Sequence, residues 1–273
     1  MELNNVKLAI LDIDGVVIKG RTPIPEAVEG IKILKEKGIN VVYLTNNSTR
    51  PRKRLAELLG DIGVDISISD IFTSSYLTAL YLDREADKDV RIFIVGEEGI
   101  VFELEEFGFK NLFWSNYEPP IDYVIVGMDR NFNFQKLTYA QQAIFSGARF
   151  IATNIDPTFP TENGIIPGGG SIVKAVETAS KKQPVVIGKP EIVGLKLILT
   201  QFDIRDPEEV ILIGDRIETD LIAGKRLGCK TGIVFSGITS KEELEDLEVS
   251  WKPDLCGENL LDLLGGDDYE DRI

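Results

Sequence analysis

Leu8-Ala9-Ile10-Leu11-Asp12-Ile13-Asp14-Gly15 is the stretch from which the fold is read. A strand over Lys7–Leu11 reads as buried, and two carboxylates separated by one residue leave its end. Gly15 frees the backbone to turn sharply. Open parallel sheets bind their ligands beyond the carboxyl ends of their strands, so chemistry belongs here. Asp-x-Asp alone is also a common surface turn, and three further strand ends give it meaning.

Outward from this stretch, strands and helices alternate. A helix is expected over Pro25–Lys37, with Ala27, Val28, Ile31 and Leu34 on one face, Pro25 in the first turn and Gly38 as its stop. Val41–Leu44 reads as the next strand, and Pro51–Gly60 as a helix turning Leu55, Leu58 and Leu59 inward. The far end repeats the rhythm: strand Val185–Ile187, helix Glu191–Phe202, strand Val210–Ile213, helix Thr219–Leu227 stopped by Gly228, strand Thr231–Phe235. Near-continuous apolar strands joined by helices imply an α/β fold, a Rossmann-type parallel sheet covered by helices on both faces.

The middle, roughly 77–184, carries an internal echo. Arg91-Ile92-Phe93-Ile94-Val95-Gly96 resembles Asp122-Tyr123-Val124-Ile125-Val126-Gly127, an offset that suits one strand–helix unit. The expectation is a discontinuous core, 1–76 plus 185–273, with a second α/β module inserted at 77–184. The tail from Gly265 to Ile273 reads as frayed.

The bulk numbers exclude several classes. The chain has 273 residues with a formal net charge of −15, against nonspecific nucleic-acid binding, which needs a basic surface. Cys229 and Cys256 are the only cysteines, too few for a disulfide framework or a zinc site. They read as reduced thiols in a cytoplasmic protein, with Cys229 buried. Met1–Lys7 lacks the pattern of a secretory signal. No run is long and apolar enough to cross a membrane. Histidine is absent, which removes Ser-His-Asp and Cys-His catalysis and histidine-ligated metals. Acid–base work must use carboxylates, lysine, tyrosine or cysteine.

Four strand ends form a chemical set: Asp12/Asp14, Thr45-Asn46-Asn47-Ser48, Gly188-Lys189-Pro190, and Gly214-Asp215-Arg216 with Asp220. In one parallel sheet they would converge on one edge. Asp12 and Asp215 offer hard oxygens, and a carbonyl near Asp14 a third, a pattern suited to Mg²⁺ beside a phosphate. Lys189, the Thr45 hydroxyl and the N–H groups of Asn46 can hold phosphoryl oxygens. A carboxylate can attack phosphorus to give an aspartyl-phosphate, while a second one two residues on protonates the leaving oxygen. Taken singly, each piece has a plain structural reading: turn residues, a helix-capping loop, a solvated lysine, acids at a helix start. Lys19, Arg21, Arg50 and Arg52 are candidates to steer anions locally, whereas Lys53 and Arg54 read as a solvated helix face.

With all four in view, the chain resembles the haloacid dehalogenase superfamily of phosphohydrolases. Asp12-Ile13-Asp14-Gly15-Val16-Val17 matches its first motif, Thr45 the second, Lys189 the third, and Gly214-Asp215 with Asp220 the fourth. The wording of these motifs is similar to the NagD-like branch, with its 4-nitrophenyl, phosphoglycolate and pyridoxal phosphatases. The resemblance implies a Mg²⁺-dependent phosphomonoesterase acting on a small phosphorylated metabolite, with Asp12 as nucleophile and Asp14 as general acid/base. It implies metal binding by Asp12, Asp14 (through its carbonyl) and Asp215, and phosphate binding by Thr45, Asn46, Asn47 and Lys189. Asp220 would orient Lys189 or a metal-bound water.

The resemblance also implies that the inserted module is a cap, which expels water and reads the leaving group. Asn154, Asp156 and Phe159 are its candidate substrate contacts, and Phe159 reads equally as core. The chain has no histidine near Phe159, which counts against pyridoxal phosphate as substrate. The expected partners are a small phosphorylated metabolite, no nucleic acid and no membrane, with a homodimer left open. A phosphotransferase or phosphomutase would use the same site. A non-catalytic phospho-ligand-binding protein would not need the whole set. Gly224–Thr231 fails as a nucleotide-binding loop because Cys229 replaces the second glycine and the segment runs from helix into strand.

Overall fold

The structure, a computed structural model, describes residues 3, 5–20, 22–61, 63–64, 66–161 and 164–265. Arg21 and residues 266–273 of the terminal tail lie outside the described residues. The chain divides into two compact units, one formed by Met1–Thr45, Ala56–Phe72 and Ile198–Ile273, the other by Asn46–Leu55 and Thr73–Leu197. The sequence reading groups segments 46–55, 73–76 and 185–197 with the outer parts of the chain, whereas their contacts place them in the second unit.

A six-stranded sheet is ordered Leu255–Gly257, Lys230–Val234, Val210–Gly214, Leu8–Asp12, Asn40–Thr45, Ile71–Thr73. Leu8–Asp12 lies parallel to both of its neighbours and is buried along its whole length. That burial explains the unbroken apolar run, since both faces of the sheet are covered. In register, Leu11 pairs with Ile213 and Asp12 with Leu44. Asp12, Thr45 and Asp215 therefore leave three adjacent parallel strands at their carboxyl ends.

The helix Pro25–Glu36 buries Ala27, Gly30, Ile31 and Leu34, an i, i+3, i+4, i+7 stripe. Pro25 occupies the first turn, where its missing N–H costs nothing. Val28 is only half-buried. The buried position is Gly30, because a Cβ there would meet Leu260 of the helix Leu260–Gly265 at 2.8 Å. In the helix Arg52–Asp61 only Leu59 is fully buried, and Leu55 and Leu58 are half-covered.

The second unit holds a five-stranded sheet ordered Val185–Val186, Arg149–Ala152, Tyr123–Val126, Arg91–Val95, Asn111–Phe113, parallel throughout. The sequence echo is a pair of direct neighbours: Ile92 faces Tyr123 and Val95 faces Val126. The helices Phe134–Phe145 and Gly169–Ser180 contribute Ala140, Ala143, Ile144, Val173 and Val176 to the core beneath this sheet. One expectation needs correction. Val185–Val186 pairs with Ile151–Ala152 in this sheet and does not extend the six-stranded one. Hydrophobic pattern identifies a strand but carries no record of its partner.

Cys229 and Cys256 are free and buried. Burial pushes the Cys229 thiol up to about 12. Both thiols are shielded from solvent, so an aromatic disulfide reagent at about pH 8 should leave both untouched in the folded chain and modify both in denaturant. Rapid modification of the native chain would contradict this packing.

Candidate active site

In the first unit the carboxylates of Asp12, Asp215 and Asp220 are buried and lie within 4.8 Å of one another. Different local devices position them. Asp12 is the last residue of its strand. After it the chain folds into a tight loop in which the Val17 and Ile18 N–H groups both donate to Ile13 O, and Gly15 N–H donates to Ile18 O. Gly15 sits at φ +84°, a conformation other residues rarely adopt, and a Cβ there would lie 2.3 Å from Asp215 Oδ2. Asp14 is exposed on this loop.

Asp215 follows the strand Val210–Gly214, and its Oδ2 accepts the Ile238 N–H at 3.0 Å. Asp220 lies on a single π-helical turn, Ile217–Leu221, a form frequent at functional sites. Its Oδ2 accepts the Arg216 N–H at 3.2 Å and the Thr219 hydroxyl at 3.3 Å. Thr45 is buried at the end of its strand.

The remaining predicted residues belong to the second unit. Lys189 follows the strand Val185–Val186 and is 3 % exposed. Its N–H donates to Asn46 Oδ1 at 2.9 Å, and Asn46 Nδ2 donates back to Lys189 O at 2.8 Å. Asn46 Nδ2 also donates to the Asp156 carboxylate at 3.0 and 3.2 Å. Asn154 is buried and donates to Asn46 O at 2.8 Å. Asn47 Oδ1 accepts both the N–H and the hydroxyl of Thr49, closing a local turn. Phe159 is half-buried, with the Arg130 guanidinium 6.0 Å from its ring centre.

Residues 9–110 match the family model for haloacid dehalogenase-like hydrolases, and residues 186–263 match a second HAD-hydrolase-like model. The chain is 34 % identical over 281 residues to phosphoglycolate phosphatase 1A, chloroplastic, of Arabidopsis thaliana, covering 96 % of this chain and 77 % of that one.

The chain belongs to the haloacid dehalogenase-like hydrolase family.

Solved structures extend the likeness to three dimensions. A p-nitrophenyl phosphatase from Archaeoglobus fulgidus gives a TM-score of 0.87 at 39 % identity, over 95 % of this chain and 98 % of that one. A glycerol phosphate phosphatase from Mycobacterium tuberculosis, in complex with magnesium, gives 0.85 at 29 % identity, over 96 % and 78 %. These named relatives of this HAD-like hydrolase are phosphatases. Among the described residues no helix is long and apolar enough to cross a membrane.

The donor set of this HAD-like hydrolase fits a hard divalent cation. Two carboxylates about 4.8 Å apart would repel by roughly 3 kcal/mol at an effective dielectric of about 20, so three buried within that distance of one another suit a site for positive charge. All the donors are oxygens, which suits Mg²⁺ or Ca²⁺ and not a soft metal.

The sequence reading missed the segment Ser236–Thr239 after the strand Lys230–Val234. Besides the Ile238 bond, it donates the Ser236 hydroxyl to Gly15 O at 2.7 Å and the Thr239 N–H to Asp215 O at 3.0 Å. Its one legible signal is Ser236-Gly237 after an apolar run. Sequence reading also missed Glu103, fully buried, which accepts the Arg52 N–H at 2.9 Å and faces the Arg52 guanidinium at 3.4 Å. Arg52 stacks over Tyr76, 3.7 Å from the ring centre. Arg52 thus anchors the Asn46–Leu55 segment to the rest of the second unit. Arg54 makes only a loose, exposed contact with Glu98 at 3.9 Å, in keeping with a solvated helix face.

Two outcomes are expected. A Cβ on Gly237 would lie 2.0 Å from Asp215 Oδ2, so Gly237→Ala should displace that carboxylate. Mg²⁺ affinity, read from the thermal shift on titration, should fall on the order of 10–100-fold with the fold retained; unchanged affinity would contradict the placement. Burial raises the Glu103 pKa above its ordinary 4.5, against the lowering effect of Arg52. That group's stabilising share is complete below its unfolded pKa and is lost as pH rises through the folded one. The Tm of Glu103→Gln relative to the native chain should therefore climb as pH rises above the ordinary value of 4.5; a flat difference would contradict the raised pKa.

Proposed function

We propose that this chain is a Mg²⁺-dependent phosphomonoesterase that acts on a small phosphorylated metabolite through a covalent aspartyl-phosphate. The observation that carries this reading is the buried cluster of Asp12 and Asp215, at the carboxyl ends of adjacent parallel strands, with Asp220 on the turn that follows. Family membership and the phosphatase names of the relatives support it.

In this reading an Asp12 carboxylate oxygen attacks phosphorus, and the bond from phosphorus to the ester oxygen breaks. Asp14, exposed and reachable by a proton carrier, protonates the departing oxygen. In the second half Asp14 takes a proton from water, whose oxygen attacks phosphorus. The Asp12–phosphorus bond breaks and inorganic phosphate leaves. Asp12, Asp215 and the Asp14 carbonyl would hold Mg²⁺, which would supply the positive charge that offsets an anionic nucleophile meeting an anionic phosphate. The Thr45 hydroxyl, the main-chain N–H groups of Asn46 and Asn47 and the Lys189 ammonium bind the phosphoryl oxygens. Asp220 orients the charged groups beside it. Residues 77–184 act as the cap, with Phe159 stacking on a flat leaving group. The two buried, unbridged cysteines suit a cytoplasmic setting.

The test is Mg²⁺-dependent hydrolysis of 4-nitrophenyl phosphate, followed by a panel of glycolate, glycerol, sugar, nucleotide and pyridoxal phosphates. Activity should vanish with chelator, and Asp12→Asn should fall by at least ~10³-fold while folding normally. Undiminished turnover by Asp12→Asn, or no turnover by the folded native chain across metals and pH, would overturn the proposal.

A further inference from the structure

We infer that the Asn46 side chain, held by Asp156, is a positioning group for Lys189 and not itself a ligand of the phosphate; the inference rests on the phosphatase reading above. Asn46 pairs with the main chain of Lys189 in both directions, accepting its N–H at 2.9 Å and donating to its carbonyl at 2.8 Å. This is the pattern a neighbouring strand would offer, supplied here by one side-chain amide. Asn46 Nδ2 carries two hydrogens. One goes to Lys189 O, and the other faces the Asp156 carboxylate at 3.0 and 3.2 Å. To reach a phosphate oxygen, Asn46 would have to give up a bond to a carboxylate, one of the stronger kinds.

The surroundings hold Asn46 just as closely. Its carbonyl accepts the Ser74 hydroxyl at 2.6 Å and the Asn154 amide at 2.8 Å. Asp156 is itself fixed: its N–H donates to Asn154 Oδ1 at 3.2 Å, and its carbonyl accepts the Gly170 N–H at 2.8 Å. Gly188 leaves the room this needs, since a Cβ there would lie 2.5 Å from Asn46 Oδ1. Asn154 and Asp156, expected from sequence to touch substrate, thereby become the frame that holds Asn46. Lysine carries its charge on a flexible four-carbon stem. Pinning both polar groups of its backbone fixes the root of that stem.

The experiment is a double-mutant cycle on kcat with 4-nitrophenyl phosphate and Mg²⁺. Asn46→Ala should lower kcat on the order of 10–100-fold. Lys189→Ala should lower it further, and adding Asn46→Ala to Lys189→Ala should change little. Asp156→Asn, which keeps an acceptor for Nδ2, should stay within several-fold of the native rate, while Asp156→Ala falls toward Asn46→Ala. Equal losses from Asn46→Ala with and without Lys189 would mean that Asn46 acts on its own and would overturn the inference. So would a native rate in Asn46→Ala. If Asn46→Ala fails to fold, Asp156→Asn and Asp156→Ala enter the same cycle with Lys189→Ala. Activity surviving in Asp12→Asn overturns the phosphatase reading itself, whereas an additive cycle beside an inactive Asp12→Asn overturns only the latch.

Discussion

Three buried carboxylates within 4.8 Å are the constraint on which the first unit depends. Left to themselves they repel, and no hydrophobic burial rewards their closeness. The fold brings them together because the strands that carry Asp12 and Asp215 are adjacent, parallel and locked in register by apolar side chains. The chain around them is fitted to that purpose. Gly15 and Gly237 each leave space that any side chain would take from Asp215, and the Ser236–Thr239 segment ties the Gly15 carbonyl to Asp215. Such a cluster of oxygen donors fits a hard divalent cation.

The second unit solves a different problem, the fixing of one long basic side chain. Lys189 follows a short edge strand of only two residues, too little to define the backbone beyond it. Asn46 supplies the missing ladder, and Asp156, Asn154 and Ser74 keep Asn46 in place. Buried polar groups are costly unless every donor and acceptor is met, so such a network acts as one piece. Glu103 and Arg52 anchor the same segment at its other end.

Much of this was legible in the sequence, for identifiable reasons. Strand ends announce themselves, because an apolar run that stops at Asp or at Thr-Asn-Asn has few other readings. The echo between Arg91–Gly96 and Asp122–Gly127 came from two neighbouring strands of one sheet. What stayed hidden was partnership. Val185–Val186 was visible as a strand, but its place beside Arg149–Ala152 is set by packing and not by its own pattern. The commitment of Asn46 depends on residues 110 and 143 positions away. No local rule connects them, so these side-chain bonds of Asn46 were not legible from its neighbours. Glu103 sits within an ordinary helical stretch, Glu98–Glu106, and only its burial sets it apart.

The most direct measurement is acid quenching during turnover of a phosphate ester, followed by peptide mass spectrometry. The account predicts a phosphoryl group on Asp12 and nowhere else, accumulating and decaying at rates that match turnover. A phosphoryl group on a different residue, or steady turnover with no phosphorylated peptide at any quench time, would contradict it.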